Sequence, residues 1–320
     1  MAGLAMPSEV TVRQLRESEI PAADRIFRLS FGTFLGLPDP MQFSGDADYI
    51  GSRWRAHPQG AFAAEAGGEI AGSNFATRWG SVAFFGPLTI RPNLWDKGIG
   101  KRLLDPVMDR FAEWGVVHAG LFTFAHSPKH VHLYQKYGFW PRFLTAILSK
   151  PATQDLKSQE GVRYSDLRAD QRQEALGASR DVADSIFAGL DPTPEIVSVA
   201  SQGLGETILL YDSSRLAGFA VCHCGPGSEA GSGICYIKFA AVRSGGGARS
   251  RFERLVGACG ALAVQRDLRR VVAGMNLARS EAFQALAGLG FRVDFQGIAM
   301  ERPNEPGYNR PDVYAIDDWR

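Results

Sequence analysis

One offset organises this chain of 320 residues. Val10, Leu15 and Arg16 are matched by Val162, Leu167 and Arg168, Ile90-Arg91 by Val242-Arg243, Arg102-Leu103 by Arg254-Leu255, and Gly138-Phe139 by Gly290-Phe291. Each pair is 152 positions apart. Self-similarity at one fixed spacing marks duplication, so we expect two copies of one domain, residues 1–150 and 151–301, joined in the polar stretch Lys150–Gly161. The remaining 302–320, with Pro303, Pro306 and Pro311, reads as an extended tail lying across a domain surface. A chain of this length with 45% hydrophobic residues can fill two ordinary cores.

The formal charge of +1, with signs interspersed, gives no basic footprint. Nucleic acid and anionic membrane are therefore not expected partners. No run approaches the roughly 20 apolar residues of a membrane helix. Met1–Pro7 lacks the charged region and apolar core of a secretory signal, and the expected location is the cytoplasm. All four cysteines lie in the second half, with Cys222-His223-Cys224 in an apolar, strand-like run. No further ligands stand at metal-binding spacing, so buried reduced thiols are expected and no metal.

Within the first copy, Val10–Leu15 alternates like a strand, Ser18–Phe34 and Asp46–Arg55 read as helices, and Ala61–Ala66 with Glu69–Trp79 reads as a hairpin closed by Gly67-Gly68. Val82–Ile90 is a further strand, interrupted at Gly86-Pro87, where a residue without an amide marks an edge or a bulge. Asn93–Lys97 then turns into an amphipathic helix opened by Gly98-Ile99-Gly100-Lys101. Such a turn suits an anion. The first helical amides lack intrahelical acceptors, the helix dipole is positive there, and glycines admit a pyrophosphate to the backbone. Gly-x-Gly before a helix is also common where it only eases a turn. Beyond the helix come an apolar strand, Ala119–Phe124, a helix from His130 to Tyr137, and Trp140–Ser149 as the closing strand of the domain.

Leu88–Leu104 and Ser127–Phe139, the latter with Tyr134-Gln135-Lys136-Tyr137-Gly138-Phe139, resemble the GCN5-related N-acetyltransferase family in its phosphate turn and its later Tyr-x-Lys-x-Gly-Phe helix. Trp95 departs from that pattern, standing where the family usually has Arg or Gln. The resemblance implies an α/β (α+β) fold of two tandem domains, each a twisted mixed sheet with a parallel, splayed strand pair flanked by helices. It implies acetyl-CoA or another acyl-CoA as cosubstrate. Pantetheine would pair with main chain at Leu88 and Ile90, and an amide near Leu88 or Thr89 would face the thioester oxygen. The diphosphate would lie on Lys97, Gly98, Ile99, Gly100 and Lys101. Ser127 takes the place of a cofactor-binding Asn, Lys136 belongs to the helix motif, and Tyr134 is the general acid for the leaving thiolate.

The reaction so implied is acyl transfer to an amine of a small molecule or protein. The usual glutamate before the turn is replaced by Phe84 and Phe85, leaving Glu65, His126 or a water chain as base. Phe31, Phe34 and Phe43 are either acceptor walls or core. A catalytically silent acyl-CoA-binding module is the alternative. By the common offset Ser250 and Phe252 stand at the positions of Gly98 and Gly100, and Leu286 at Tyr134, so the second copy reads as degenerate, although Gly245-Gly246-Gly247 could form an anion nest.

Overall fold

The computed structural model describes residues 10–153 and 161–320; Met1–Pro7 and the centre of the Lys150–Gly161 joint lie outside the described residues. The first span forms β1 (Thr11–Gln14), α1 (Ile20–Phe34), α2 (Tyr49–Ala56), β2 (Ala61–Ala66), β3 (Glu69–Trp79), β4 (Val82–Phe85), β5 (Thr89–Ile90), α3 (Ile99–Glu113), β6 (His118–Thr123), α4 (Pro128–Gln135) and β7 (Trp140–Pro151). The second forms β8 (Val162–Arg163), α5 (Ala169–Asp184), α6 (Thr193–Gln202), β9 (Gly205–Asp212), β10 (Arg215–Gly225), β11 (Gly231–Val242), α7 (Ala248–Gln265), β12 (Arg270–Asn276), α8 (Ser280–Gly288), β13 (Arg292–Arg302) and β14 (Ala315–Ile316). From β6 onward the two series keep step, with β12, α8 and β13 each starting 152 residues after β6, α4 and β7.

These residues fall into two compact units. One takes the chain up to Gly45, Tyr49–Thr77 and Phe85–Gly115; the other takes Asp46–Asp48, Arg78–Phe84 and Val116–Arg320. In the first, β1, β2 and β3 are antiparallel neighbours, and β5 lies on β3 through Gly72↔Ile90 and Ser73↔Thr89. Ala23, Ile26 and Phe27 recur at helical spacing and face Ile50, Ala63, Ile70 and Phe75 across the core. α3 buries Leu103, Leu104, Val107 and Phe111 in the same way.

Val82–Ile90 is not one strand. It breaks at Gly86-Pro87 into β4 and β5, because proline has no amide for a ladder and Gly86 is drawn aside. The Gly86 amide donates to Phe75 O (2.8 Å), and buried Arg53 donates to the Gly86 carbonyl (2.7 Å). The helix expected from Asp46 begins instead at Tyr49, since Asp46–Asp48 is held elsewhere in its own unit. The Asp46 carboxylate accepts from Ser232, and the Asp48 amide donates to Ser228 O.

The second unit carries the sheet order β4-β6-β13-β7-β12-β11-β10-β9-β8. β4 and β6 are parallel through Val82↔His118, Ala83↔Ala119 and Phe84↔Gly120. β11 and β12 repeat this 152 residues later, from Ile234↔Arg270 to Ile237↔Ala273. Between these parallel pairs, Trp140–Ser149 does not close its own half as expected. β7 lies between β13 and β12, and β13 lies between β6 and β7. Each closing strand hydrogen-bonds the other half's strand. The order β6-β13-β7-β12 reads the same when the halves are interchanged.

The tail also departs from expectation, lying inside the unit rather than across its surface. Tyr308, Val313, Ile316, Asp317 and Trp319 are buried, and β14 pairs with β11. Its prolines signalled irregular chain, but its aromatic and branched residues seek a core. The four cysteines are free, with Sγ–Sγ separations of 3.6 Å for Cys222 and Cys259 and 3.9 Å for Cys224 and Cys235.

Candidate active site

The residues singled out by sequence divide between the units. Leu88–Ile90 and Lys97–Lys101 lie in the first; Ser127, Tyr134 and Lys136 lie in the second.

β5 uses one edge for β3. Arg91 donates to Ala71 O (2.8 Å), so by strand alternation Thr89 and Arg91 turn their main-chain groups toward β3, while Leu88 and Ile90 turn theirs to the opposite edge. The buried Thr89 side chain is fixed by a 3.2 Å hydrogen bond with Ser73. On the opposite edge the Trp95 indole donates to the Ile90 carbonyl at 2.8 Å. Trp95 is thus folded back onto the strand.

The turn after it uses left-handed backbone at Asp96 (φ 64) and Gly98 (φ 74, ψ 5). Gly98 is the N-cap of α3 and supplies no side chain to its amides, so the first-turn N–H groups of Ile99, Gly100 and Lys101 lie ahead of the intrahelical ladder. A Cβ built at Gly98 would meet nothing within 4 Å, so glycine is required here by conformation rather than by protein crowding. Lys97 and Lys101 are exposed beside it, whereas Ile99 and Gly100 are buried.

In the second unit Tyr134 lies on α4, 8% exposed. Its hydroxyl is hydrogen-bonded to the side chain of Thr123 at the end of β6, and burial pushes the phenol well above its ordinary range. Lys136, two residues on, is exposed, as a helix requires of residues so spaced. Ser127 is buried at the N-cap of α4, and its side chain caps no amide. The Gly138-Phe139 pair has a structural office: the Gly138 amide donates to Gln135 O (3.0 Å) and that of Phe139 to Tyr134 O (3.2 Å), ending α4. Gly290-Phe291 ends α8 identically, through Ala287 O and Leu286 O, both at 3.1 Å.

Of the base candidates, the Glu65 carboxylate is taken by Arg13 (3.0 and 2.7 Å), which also grips Glu19, and His126 is exposed. Phe31 stacks on Phe43 with ring centroids 5.2 Å apart, and both pack on the core of α1. Phe34 is half-buried.

Residues 24–139, which contain both the Gly98 turn and Tyr134, match the profile of the Acetyltransferase (GNAT) family. This segment is a GNAT domain. The fold of the whole chain is similar to that of a candidate acetyltransferase from Pyrococcus horikoshii, 14% identical, with a TM-score of 0.69 over 100% of this chain and 98% of that one. It is also similar to GCN5-related N-acetyltransferases from Sphaerobacter thermophilus (14% identity, TM-score 0.58, 93% and 96% covered) and Anabaena variabilis (16%, 0.55, 92% and 72%). At such identity these likenesses speak to the fold. No curated protein sequence matches the chain.

Two residues in and beside the GNAT motifs were not among the candidates read from sequence for the roles their geometry suggests. Arg53 holds the Gly86 bend; nothing in its local sequence announces a partner 33 residues away. His130 precedes Tyr134 by four positions and so shares its face of α4. Burial above all, with Lys129 and His126, lowers its pKa and keeps the imidazole neutral. That spacing was readable.

The second turn needs a correction. α7 begins from Gly247 at φ 80 and ψ 4, nearly the backbone of Gly98, so here the helices start 149 rather than 152 residues apart. Gly98 therefore corresponds to Gly247, and Phe252 is a buried core residue of α7 rather than an obstruction in the turn. Among the described residues no cluster of His, Cys, Asp or Glu could hold a metal ion, and no helix is long and apolar enough to cross a membrane.

Proposed function

We propose that the chain is a cytoplasmic, acyl-CoA-dependent N-acyltransferase using acetyl-CoA or another acyl-CoA. The observation that carries this reading is the left-handed Gly98 at the start of α3, unobstructed at its missing Cβ, within the segment that matches the GNAT family. Amides of Gly98, Ile99, Gly100 and Lys101 would take the diphosphate with Lys97 alongside, and main chain of Leu88 and Ile90 would pair with pantetheine. Ser127 and Lys136 complete the cofactor contacts that the family motif suggests.

The amine nitrogen attacks the thioester carbonyl, the oxyanion is met by a main-chain amide near Leu88 or Thr89, and the C–S bond breaks. Tyr134 gives its proton to the departing thiolate, and the proton lost by the amine passes to water or to a histidine, His126 or His130. Burial keeps the phenol protonated throughout the neutral range, so the proton is in place when the thiolate departs, although the same burial makes it a weaker acid.

A silent acyl-CoA-binding module is the second reading, favoured by Trp95 on the Ile90 carbonyl and by Arg13 on Glu65. Thiol release over an amine panel separates the two. Turnover that Tyr134→Phe lowers about 100-fold, with little change in KM, supports the enzyme. Tight coenzyme A binding with no turnover on any amine supports the module.

A further inference from the structure

We propose that Ala315–Asp318 is an internal peptide ligand of the fork between β11 and β12, so that the second half takes no coenzyme A and each chain binds one, in the first half. The last clause rests on the proposed function. The fork itself does not.

β11 and β12 are paired side by side only as far as Ile237↔Ala273. Past that point the tail enters. On β11, Ala240 and Ala241 pair antiparallel with Ile316 and Ala315, and the Val242 amide donates to Tyr314 O at 3.2 Å. On β12, Met275 forms a β-bridge with Asp317. The outer edges of both strands are already used, β11 by β10 and β12 by β7, so the tail fills the gap as an inserted strand. An extended chain pairing with a strand edge is the way peptides augment sheets, and here the peptide is the protein's own.

Its side chains are seated as a ligand's would be. Arg279, fully buried, grips the Asp317 carboxylate through both terminal nitrogens (3.1 and 3.0 Å) and donates to the Ala315 carbonyl at 2.8 Å. Tyr236 donates its hydroxyl to Asp318 at 3.1 Å. A glycine of β12 makes room: a Cβ at Gly274 would lie 1.9 Å from Asp318 Oδ2. Beyond the fork, Trp319 covers Gly120 of β6, where a Cβ would lie 2.2 Å from its ring.

The pairs of β4 with β6 and of β11 with β12 share one register 152 residues apart, and both α3 and α7 start from a left-handed glycine. The second half thus keeps the frame of the first while its fork is filled, with two carboxylates inside it. Pantetheine could enter only by displacing Ala315–Asp318.

The test uses the full chain. Calorimetric titration with coenzyme A is expected to give one site, which Gly98→Trp removes. Hydrogen exchange is expected to show the Ile316 and Asp317 amides ~1,000-fold slower than in an unstructured peptide, unchanged at saturating coenzyme A. Two sites per chain, or a site that survives Gly98→Trp with loss of tail protection, overturns the proposal. If no coenzyme A binds at all, the transferase reading fails instead, and exchange alone decides the tail: protection upholds the internal ligand, and rapid exchange rejects it.

Discussion

The contact between Gly274 and Asp318 allows the tail's seating to be tested by its pattern of rescue. An alanine Cβ at position 274 would meet Asp318 at Oδ2 (1.9 Å), Cβ (2.2 Å) and Cγ (2.3 Å). No rotamer of Asp318 moves its own Cβ, so the backbone of the tail or of β12 must shift. Overpacking of a filled site costs about 1–3 kcal/mol. The shift also disturbs the Tyr236 hydrogen bond, worth about 1–2 kcal/mol when the acceptor is charged, so Gly274→Ala should cost about 3 kcal/mol. Asp318→Ala removes the carboxylate but leaves the 2.2 Å contact, and should not rescue Gly274→Ala. Asp318→Gly removes it and should. The glycine substitution itself costs about 2–3 kcal/mol through the lost contacts with Tyr236 and Arg320 and added chain entropy. With rescue, the Gly274→Ala, Asp318→Gly double variant should cost no more than Asp318→Gly alone, a coupling of about 3 kcal/mol. Urea midpoints at constant slope measure all of these. Additive losses of about 5–6 kcal/mol, or equal rescue by alanine and glycine at 318, would show that the tail does not lie against β12 as described.

Arg53→Ala removes a charge-assisted hydrogen bond to the Gly86 carbonyl, should cost about 2 kcal/mol by urea midpoint, and should raise KM for the thioester; an unchanged KM would disconnect the bend from the cofactor. Trp95→Phe frees the Ile90 carbonyl for a pantetheine amide and should tighten coenzyme A binding by about 5-fold, equivalent to ~1 kcal/mol, whereas weaker binding by calorimetry would mean that the indole supports the site. Burial raises the Tyr134 pKa above its ordinary 10.0, so the stability linked to this phenol is fully present below pH 10 and is lost only as pH climbs through the folded-state value. Accordingly the kcat profile should show no alkaline fall assignable to this phenol through pH 10; a fall with its midpoint at pH 10 that vanishes in Tyr134→Phe would place the phenol in water.

Where pattern and partner lie close in sequence, the fold was legible. Gly67-Gly68 closes its hairpin, Gly98 starts α3, and Gly138-Phe139 ends α4, because turn and cap chemistry is set by a few neighbouring residues. The 152-residue spacing also marked where β12, α8 and β13 start relative to β6, α4 and β7. What stayed hidden is non-local. No periodicity in Trp140–Ser149 says that β7 will lie beside β12, since a strand's alternation names the face it buries and is silent about the strand it joins. The misplaced second turn has a related cause: a constant offset assumes equal lengths, yet α7 begins three residues early relative to β11 and β12, which keep the 152-residue step. The tail is the sharpest case. Its prolines suggested surface chain, and the features that draw it inward, Arg279 for Asp317 and Gly274 for Asp318, lie 38 and 44 residues upstream. Under the proposed reading, the repeated frame leaves two forks, and a chain that closes the one between β11 and β12 with its own residues 315–318 keeps the other for a cosubstrate.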